Sequence, residues 1–130
     1  MKIALLGYGK MGKTIEQIAL QRGHEIVLKI DENSLYYDIS IADVAIDFSI
    51  PQAAFKNIST CLNNNVPIIS GTTGWLDKLP EAIELCKQKN GAFISTSNFS
   101  LCVNIFFELN AFFLYTSDSS DDMHSFNIIE

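Results

Sequence analysis

The sequence predicts an α/β protein built on a doubly wound parallel sheet, and three observations carry that prediction. Five short apolar runs, 2–6, 25–30, 44–48, 66–70 and 92–96, are separated by stretches in which apolar residues recur at helical spacing. That is the alternation of βαβ units rather than of hairpins. The first run empties directly into Gly7-Tyr8-Gly9-Lys10-Met11-Gly12, a G-x-G-x-x-G, and the second ends in an acidic pair, Asp31-Glu32. Strand, glycine turn, helix, strand and terminal carboxylate is the order of a dinucleotide-binding unit, so the sheet is expected to be Rossmann-like.

Each part of that unit has a physical task. Gly7 permits the tight turn out of the strand, Gly9 lets the backbone approach a pyrophosphate, and Gly12 lets the helix lie close to the sheet. The helix N-terminus offers unpaired N–H groups and partial positive charge to phosphates. Asp31 stands where a carboxylate can accept hydrogen bonds from ribose hydroxyls. A plain tight turn accounts for a lone glycine motif about as well, but four features in register favour the dinucleotide.

Met11, Ile15, Ile18 and Ala19 mark the buried stripe of the first helix, and Gly23 is its stop. Residues 32–42 read as a loop with room for one short element, in which Tyr36 and Tyr37 are packing residues rather than a shelf for adenine. After Val44–Phe48, Pro51 suits the first turn of a helix, with Ser49 or Ile50 before it. Ala54, Ile58, Cys61 and Leu62 form that helix's stripe, and Asn63-Asn64-Asn65 breaks it. Pro67 favours the start of the fourth strand. Gly71-Thr72-Thr73-Gly74 follows that strand, and Leu79, Ala82, Ile83 and Cys86 mark a third helix. Ser97-Asn98-Phe99-Ser100 follows the fifth strand.

Right-handed crossovers bring all these strand-to-helix turns to one edge of the sheet. Ligands of open α/β sheets sit at that edge. Any one Ser, Thr or Gly there is explained as a helix cap. Five such turns on one rim describe a cleft.

The chain has 130 residues, 48% hydrophobic and 18% charged, enough for the core of one domain. Fifteen acids against nine bases give a net charge of -6, which argues against nucleic acid as a partner. Cys61, Cys86 and Cys102 are widely spaced, with no C-x-x-C and no clustered histidines. A reducing, cytoplasmic setting with mostly buried, inert thiols is expected, and no metal. No apolar run is long enough for a membrane span, and the N-terminal run is too short for a signal peptide. His24 and His124 read as surface histidines.

The turns together resemble the 4-hydroxy-tetrahydrodipicolinate reductase (dihydrodipicolinate reductase) family of bacterial and plant lysine and diaminopimelate synthesis. The matching pieces are residues 7–12, Val44-Ala45-Ile46-Asp47-Phe48-Ser49, Gly71-Thr72-Thr73-Gly74 and Ser97-Asn98-Phe99-Ser100-Leu101-Cys102-Val103-Asn104. The resemblance covers residues 1 to about 110. It implies that Gly7, Tyr8, Gly9, Lys10, Met11 and Gly12 hold the pyrophosphate and that Asp31 holds the adenosine ribose. Phe48 would line the cleft. Gly71, Thr72 and Thr73 would meet the nicotinamide half, with Thr73 also near the substrate. Thr96, Ser97, Asn98 and Phe99 would close over the nicotinamide. In such enzymes hydride passes from NADH or NADPH to a cyclic unsaturated dicarboxylate without a metal. Family members that favour NADPH often carry a basic residue beside the acid at the second strand's end. Here Asp31-Glu32 would repel a ribose 2′-phosphate, so NADH is the expected preference, with NADPH as the alternative.

Two departures stand out. Cys102 occupies a position where the family usually has glycine, which is either a strained positive-φ site or a tolerated, buried small residue. The resemblance also implies a second, α+β domain that builds a homotetramer and carries a histidine pair, a lysine and a Gly-Thr turn. Residues 104–130 read as its incomplete beginning: a helix over Phe106–Tyr115, a polar turn over Asp118–Asp122 and a strand over Ser125–Glu130. Residues 1–103 then form the dinucleotide domain. The helix is apolar on more than one face, as in an ordinary core helix or an open interface. No catalytic residue of the second domain is identified. The readings are a reductase of which this chain is the cofactor part, a dinucleotide-binding module without turnover, or another Rossmann enzyme such as a CoA- or sugar-linked one.

Overall fold

The computed structural model describes residues 1–31, 34, 36–114 and 127–129. Strands β1 (Lys2–Leu6), β2 (Glu25–Ile30), β3 (Val44–Asp47), β4 (Ile68–Ser70) and β5 (Phe93–Ser95) are parallel. The sheet order is β2-β1-β3-β4-β5, and a sixth strand, β6 (Asn127–Ile129), adds to β5 antiparallel. The connecting helices are α1 (Lys10–Gln21), α2 (Pro51–Asn63) and α3 (Leu79–Lys89), and α4 (Leu101–Leu114) follows β5. A short 3-10 turn at Ile39–Ile41, capped by Asp38, is the small element of the loop after β2.

The doubly wound arrangement follows from the two-residue period of β1. Ile3 and Leu5 face one way and pack with Ala19 and Ile15 of α1. Ala4 and Leu6 face the other way into the larger cluster, with Ile58 and Leu62 of α2, Ala82 and Cys86 of α3, Trp75 and Phe93. A strand covered on both faces reads as an unbroken apolar run, and residues 3–6 of β1 are one.

The stripe expected on α1 is rotated in the structure. Gly12 and Ala19 are buried, whereas Met11 and Ile18 are 49% and 45% exposed. A Cβ on Gly12 would lie 2.4 Å from the carbonyl oxygen of Gly7, so the helix backbone itself rests on the turn and sets which face is hidden. α2 begins with Ile50 as N-cap and Pro51 in the first turn, and Pro67 lies just before β4. Tyr37 packs on the larger core, but Tyr36 is 94% exposed, so it is not the packing residue the sequence suggested.

Cys61 and Cys86 are buried and Cys102 is exposed, on the first turn of α4. Positive φ outside glycine occurs, among the described residues, at Asn65 and Asn90, so Cys102 carries no such strain. Leu101, Ile105, Phe106, Phe107 and Leu109 on α4 are all exposed. The strand expected over Ser125–Glu130 is present at Asn127–Ile129 on the edge of this sheet. Tyr115, the turn over residues 118–122, His124 and the strand's outer residues lie outside the described residues, as does Glu32.

Candidate functional site

The carboxyl ends of the strands are tied together by single backbone bonds. The N–H of Gly7 donates to Ile30 O, Phe48 to Leu6 O, Gly71 to Asp47 O and Thr96 to Ser70 O, at 2.9, 2.9, 2.9 and 3.2 Å. Each turn therefore starts from a fixed height on one rim.

Gly7 turns with φ +93°, and a Cβ there would lie 2.1 Å from Phe48 O. Only glycine fits that turn. Gly9 is extended and precedes α1 without any side-chain cap, and a Cβ on it would meet nothing within 4 Å. Open space over Gly9, beside the uncapped N–H groups of a helix start, suits a phosphate approaching the backbone.

That space belongs to a cavity of about 460 Å³ lined by Gly7, Tyr8, Gly9, Ile30, Asp31, Phe48, Ser49, Ile50, Ala53 and Asn57. Asp31 is exposed at its edge. Its carboxylate accepts from Ser34 Oγ at 3.1 Å, and its N–H donates to the same oxygen at 3.2 Å. The apolar residues Ile30, Ile50 and Ala53 provide the rest of a wall suited to a nucleoside.

Tyr8 is held by a charged cluster on the outer side of the turn. Its hydroxyl donates to Glu16, Glu16 pairs with Lys29 at 2.5 Å, and the Lys29 ammonium lies 5.2 Å from the Tyr8 ring centroid. The Lys13 ammonium lies 5.9 Å from the same centroid. Hydrogen bonds from Lys29 and then Tyr8 pull the Glu16 carboxyl below its ordinary range. The hydrogen bond to Glu16 raises the Tyr8 phenol, and that to Glu16 raises the Lys29 ammonium.

Asp47 is fully buried behind the cavity. One carboxylate oxygen accepts from Ser49 Oγ at 2.6 Å and Asn57 Nδ2 at 2.8 Å. The other accepts from Ser70 Oγ at 2.7 Å and Thr72 Oγ1 at 2.8 Å. Thr72 Oγ1 accepts in turn from the Ser49 N–H at 2.8 Å, and its carbonyl receives the indole N–H of Trp75 at 2.9 Å. Four donors satisfy the carboxylate's lone pairs, which is what a buried charge requires.

Phe48 links the cavity to the other two turns. A Cβ on Gly71 would lie 2.2 Å from its ring, so the glycine is the seat of the aromatic side chain. The Phe99 ring meets it with centroids 6.3 Å apart. The turn at 96–100 is closed by its own side chains and by one from α4: the Asn98 N–H donates to Thr96 Oγ1, the Ser100 N–H to Asn98 Oδ1, and Asn104 Nδ2 of α4 to Asn98 O.

Of the residues expected from the sequence, Gly7, Tyr8, Gly9, Asp31 and Phe48 come together in one cavity. Lys10 and Met11 lie exposed on α1 and Gly12 is buried beneath it. Gly71, Thr72, Thr73, Thr96, Ser97, Asn98 and Phe99 occupy the same rim but do not line that cavity. Thr73 and Ser97 are exposed, whereas Thr72 is buried with its hydroxyl engaged by Asp47 and Ser49. Sequence reasoning passed over Asn57, and it named Asp47 and Ser49 only as part of the turn after the third strand, without a site role. The signal for Asp47 was present: a carboxylate closing an apolar strand, with Ser49 two residues on. No group of three or more His, Cys, Asp or Glu placed to hold a metal ion occurs among the described residues.

Residues 1–99 match the family model described as dihydrodipicolinate reductase, N-terminus. The chain belongs to the dihydrodipicolinate reductase family. Relatives in that family include the 4-hydroxy-tetrahydrodipicolinate reductase of Christiangramia forsetii, 58% identical over 112 residues, covering 85% of this chain and 47% of that protein. The Staphylococcus epidermidis enzyme of the same name is 36% identical over 107 residues, covering 75% and 44%. A dipicolinate-bound dihydrodipicolinate reductase from Paenisporosarcina sp. TG-14 shares the fold, with TM-score 0.72 and 20% identity over 88% of this chain and 53% of that one. The chain thus spans about half the length of the dihydrodipicolinate reductases it matches.

Proposed function

We propose that this chain is the cofactor-holding part of a 4-hydroxy-tetrahydrodipicolinate reductase and that it binds NADH in preference to NADPH. The observation that carries the reading is the cavity over Gly9, which runs from the uncapped start of α1 to the carboxylate of Asp31. It suits a pyrophosphate at one place and a ribose diol at another. Asp31 lines the cavity and a second carboxylate, Glu32, follows it in sequence; negative charge here would repel the 2′-phosphate of NADPH.

The nicotinamide ring, when bound, supplies a hydride. The chain's own part is to bind and orient. Residues 7–12 receive the pyrophosphate, Phe48 on Gly71 lines the path, and Gly71–Thr73 with Thr96–Phe99 contact the nicotinamide half. Thr73, which is exposed on the rim, is assigned by this reading to both nicotinamide and substrate. The acceptor is proposed to be a cyclic unsaturated dicarboxylate; the Paenisporosarcina relative was captured with dipicolinate, a cyclic dicarboxylate. The complete protein is read as a cytoplasmic homotetramer, with residues 1–103 as its dinucleotide domain and 104–130 as the start of its second.

Orientation of donor against acceptor supplies much of the rate in such transfers, and the residues that grip the dicarboxylate are assigned to the second domain. The 130-residue chain is therefore expected to bind NADH without reducing the dicarboxylate. Fluorescence titration with NADH and NADPH, beside a steady-state assay, tests both halves. Tighter binding of NADPH would overturn the preference, and clear turnover would overturn the division of labour. Thr73→Val should weaken NADH more than ADP-ribose, and an equal loss would remove Thr73 from the nicotinamide side.

A further inference from the structure

We infer that Asp47 is a positioning residue for the dinucleotide, acting through Thr72 and Ser49 to hold the turns after β3 and β4 in one register. The inference rests on the proposed NADH reading and gives the Thr72 side chain a role distinct from direct contact with the cofactor.

The geometry is a closed relay. The Thr72 hydroxyl has one proton, which it gives to Asp47 at 2.8 Å, and it accepts the Ser49 N–H at 2.8 Å. Its remaining capacity to donate is therefore nil. A cofactor cannot receive a hydrogen bond from Thr72 Oγ1 without breaking the relay. Thr72 is also 7% exposed, and the Trp75 indole holds its carbonyl, so the residue has little freedom to turn outward.

The other carboxylate oxygen of Asp47 faces the cavity side. It receives Asn57 Nδ2 and Ser49 Oγ, and both of these residues line the cavity. Because a carboxylate only accepts, it also fixes which way the Asn57 amide points. One buried group thus sets the positions of Ser49 and Asn57 on the adenosine side and of Ser70 and Thr72 beneath the Gly71–Gly74 turn. A ligand that reaches only the cavity feels half of this arrangement, whereas an intact dinucleotide reaching both turns requires the distance between them to be right.

A ligand pair separates positioning from simple loosening: NADH, which reaches both turns, and ADP, which reaches the cavity alone. Thr72→Val keeps the shape and removes the hydroxyl, and Thr72→Ser keeps the hydroxyl. Thr72→Val is expected to weaken NADH at least about fivefold and ADP less than about twofold, with Thr72→Ser within about twofold of the parent for both. Asp47→Asn places an amide among four donors and is expected to lose NADH affinity further; if it does not fold, the Thr72 pair decides alone. Equal losses of NADH and ADP in Thr72→Val, no loss of NADH, or a Thr72→Ser chain as weak as Thr72→Val would each overturn the inference while leaving the proposed function standing. A parent chain that binds no NADH would overturn both.

Discussion

The ring of Phe48 stands against that of Phe99 with centroids 6.3 Å apart and planes tilted by 59°. This contact joins the turn after β3 to the turn after β5, across the intervening Gly71. Tilted aromatic pairs at such distances are mutually attractive. The pair closes the gap between the cavity and the outer turns, and it depends on Gly71 having no side chain.

Two glycine substitutions should therefore differ in kind. In Gly71→Ala the atoms nearest the added methyl are Cε1, Cζ and Cδ1 of the Phe48 ring, side chain rather than backbone, and the ring can swing away. NADH affinity is expected to fall about fivefold or more with a thermal shift of only a few degrees. In Gly7→Ala the methyl meets the backbone of Phe48 at 2.1 Å, and φ is +93°. That change is expected to cost about 2 kcal/mol or more of stability. Calorimetry with NADH titration on both variants checks the contrast, and a reversed order would contradict it.

Glu16 predicts an acid-side dependence. Its carboxyl is held below its ordinary range, first by the hydrogen bond from Lys29 and then by that from Tyr8. A carboxyl lowered on folding stabilises the fold above its unfolded value, and that contribution is lost as pH falls through the lowered one. From about pH 5 to pH 3 the melting temperature of the parent should fall more steeply than that of Glu16→Gln. Parallel curves would show that the Glu16–Lys29 pair contributes nothing to folding.

The thiols should react unequally. Burial, with a smaller effect of Asp47, pushes the Cys61 thiol up to about 12, and burial also raises Cys86. Cys102 is exposed on α4. At pH 8 a disulfide reagent should label one of the three cysteines in the folded chain and all three after denaturation. Fast labelling of Cys61 in the native chain would contradict the burial.

Helix α4 predicts self-association. Leu101, Ile105, Phe106 and Leu109 are 74%, 50%, 60% and 52% exposed, a contiguous apolar face of the kind that drives association. Light scattering over a concentration series should show rising mass for the parent and a smaller rise for Phe106→Asp. A monodisperse monomer at every concentration would count against it.

The sequence by itself determined the fold class, the order of its first five strands and helices, and the glycine turn with Asp31. These are written in local chemistry: apolar period, a glycine motif, a proline at a helix start, a carboxylate closing a strand. Met11 and Ile18 show the limit of that reading. Periodicity says that α1 has a buried face, but the contact of Gly12 with Gly7 decides which one. Tertiary structure alone decided the hydrogen-bond partners of Asp47, because Ser49, Asn57, Ser70 and Thr72 are 2 to 25 residues away and meet only where the strand ends align. It also decided that Thr72 turns inward while Thr73 faces solvent, since neighbours in a turn carry no period from which their directions could be read.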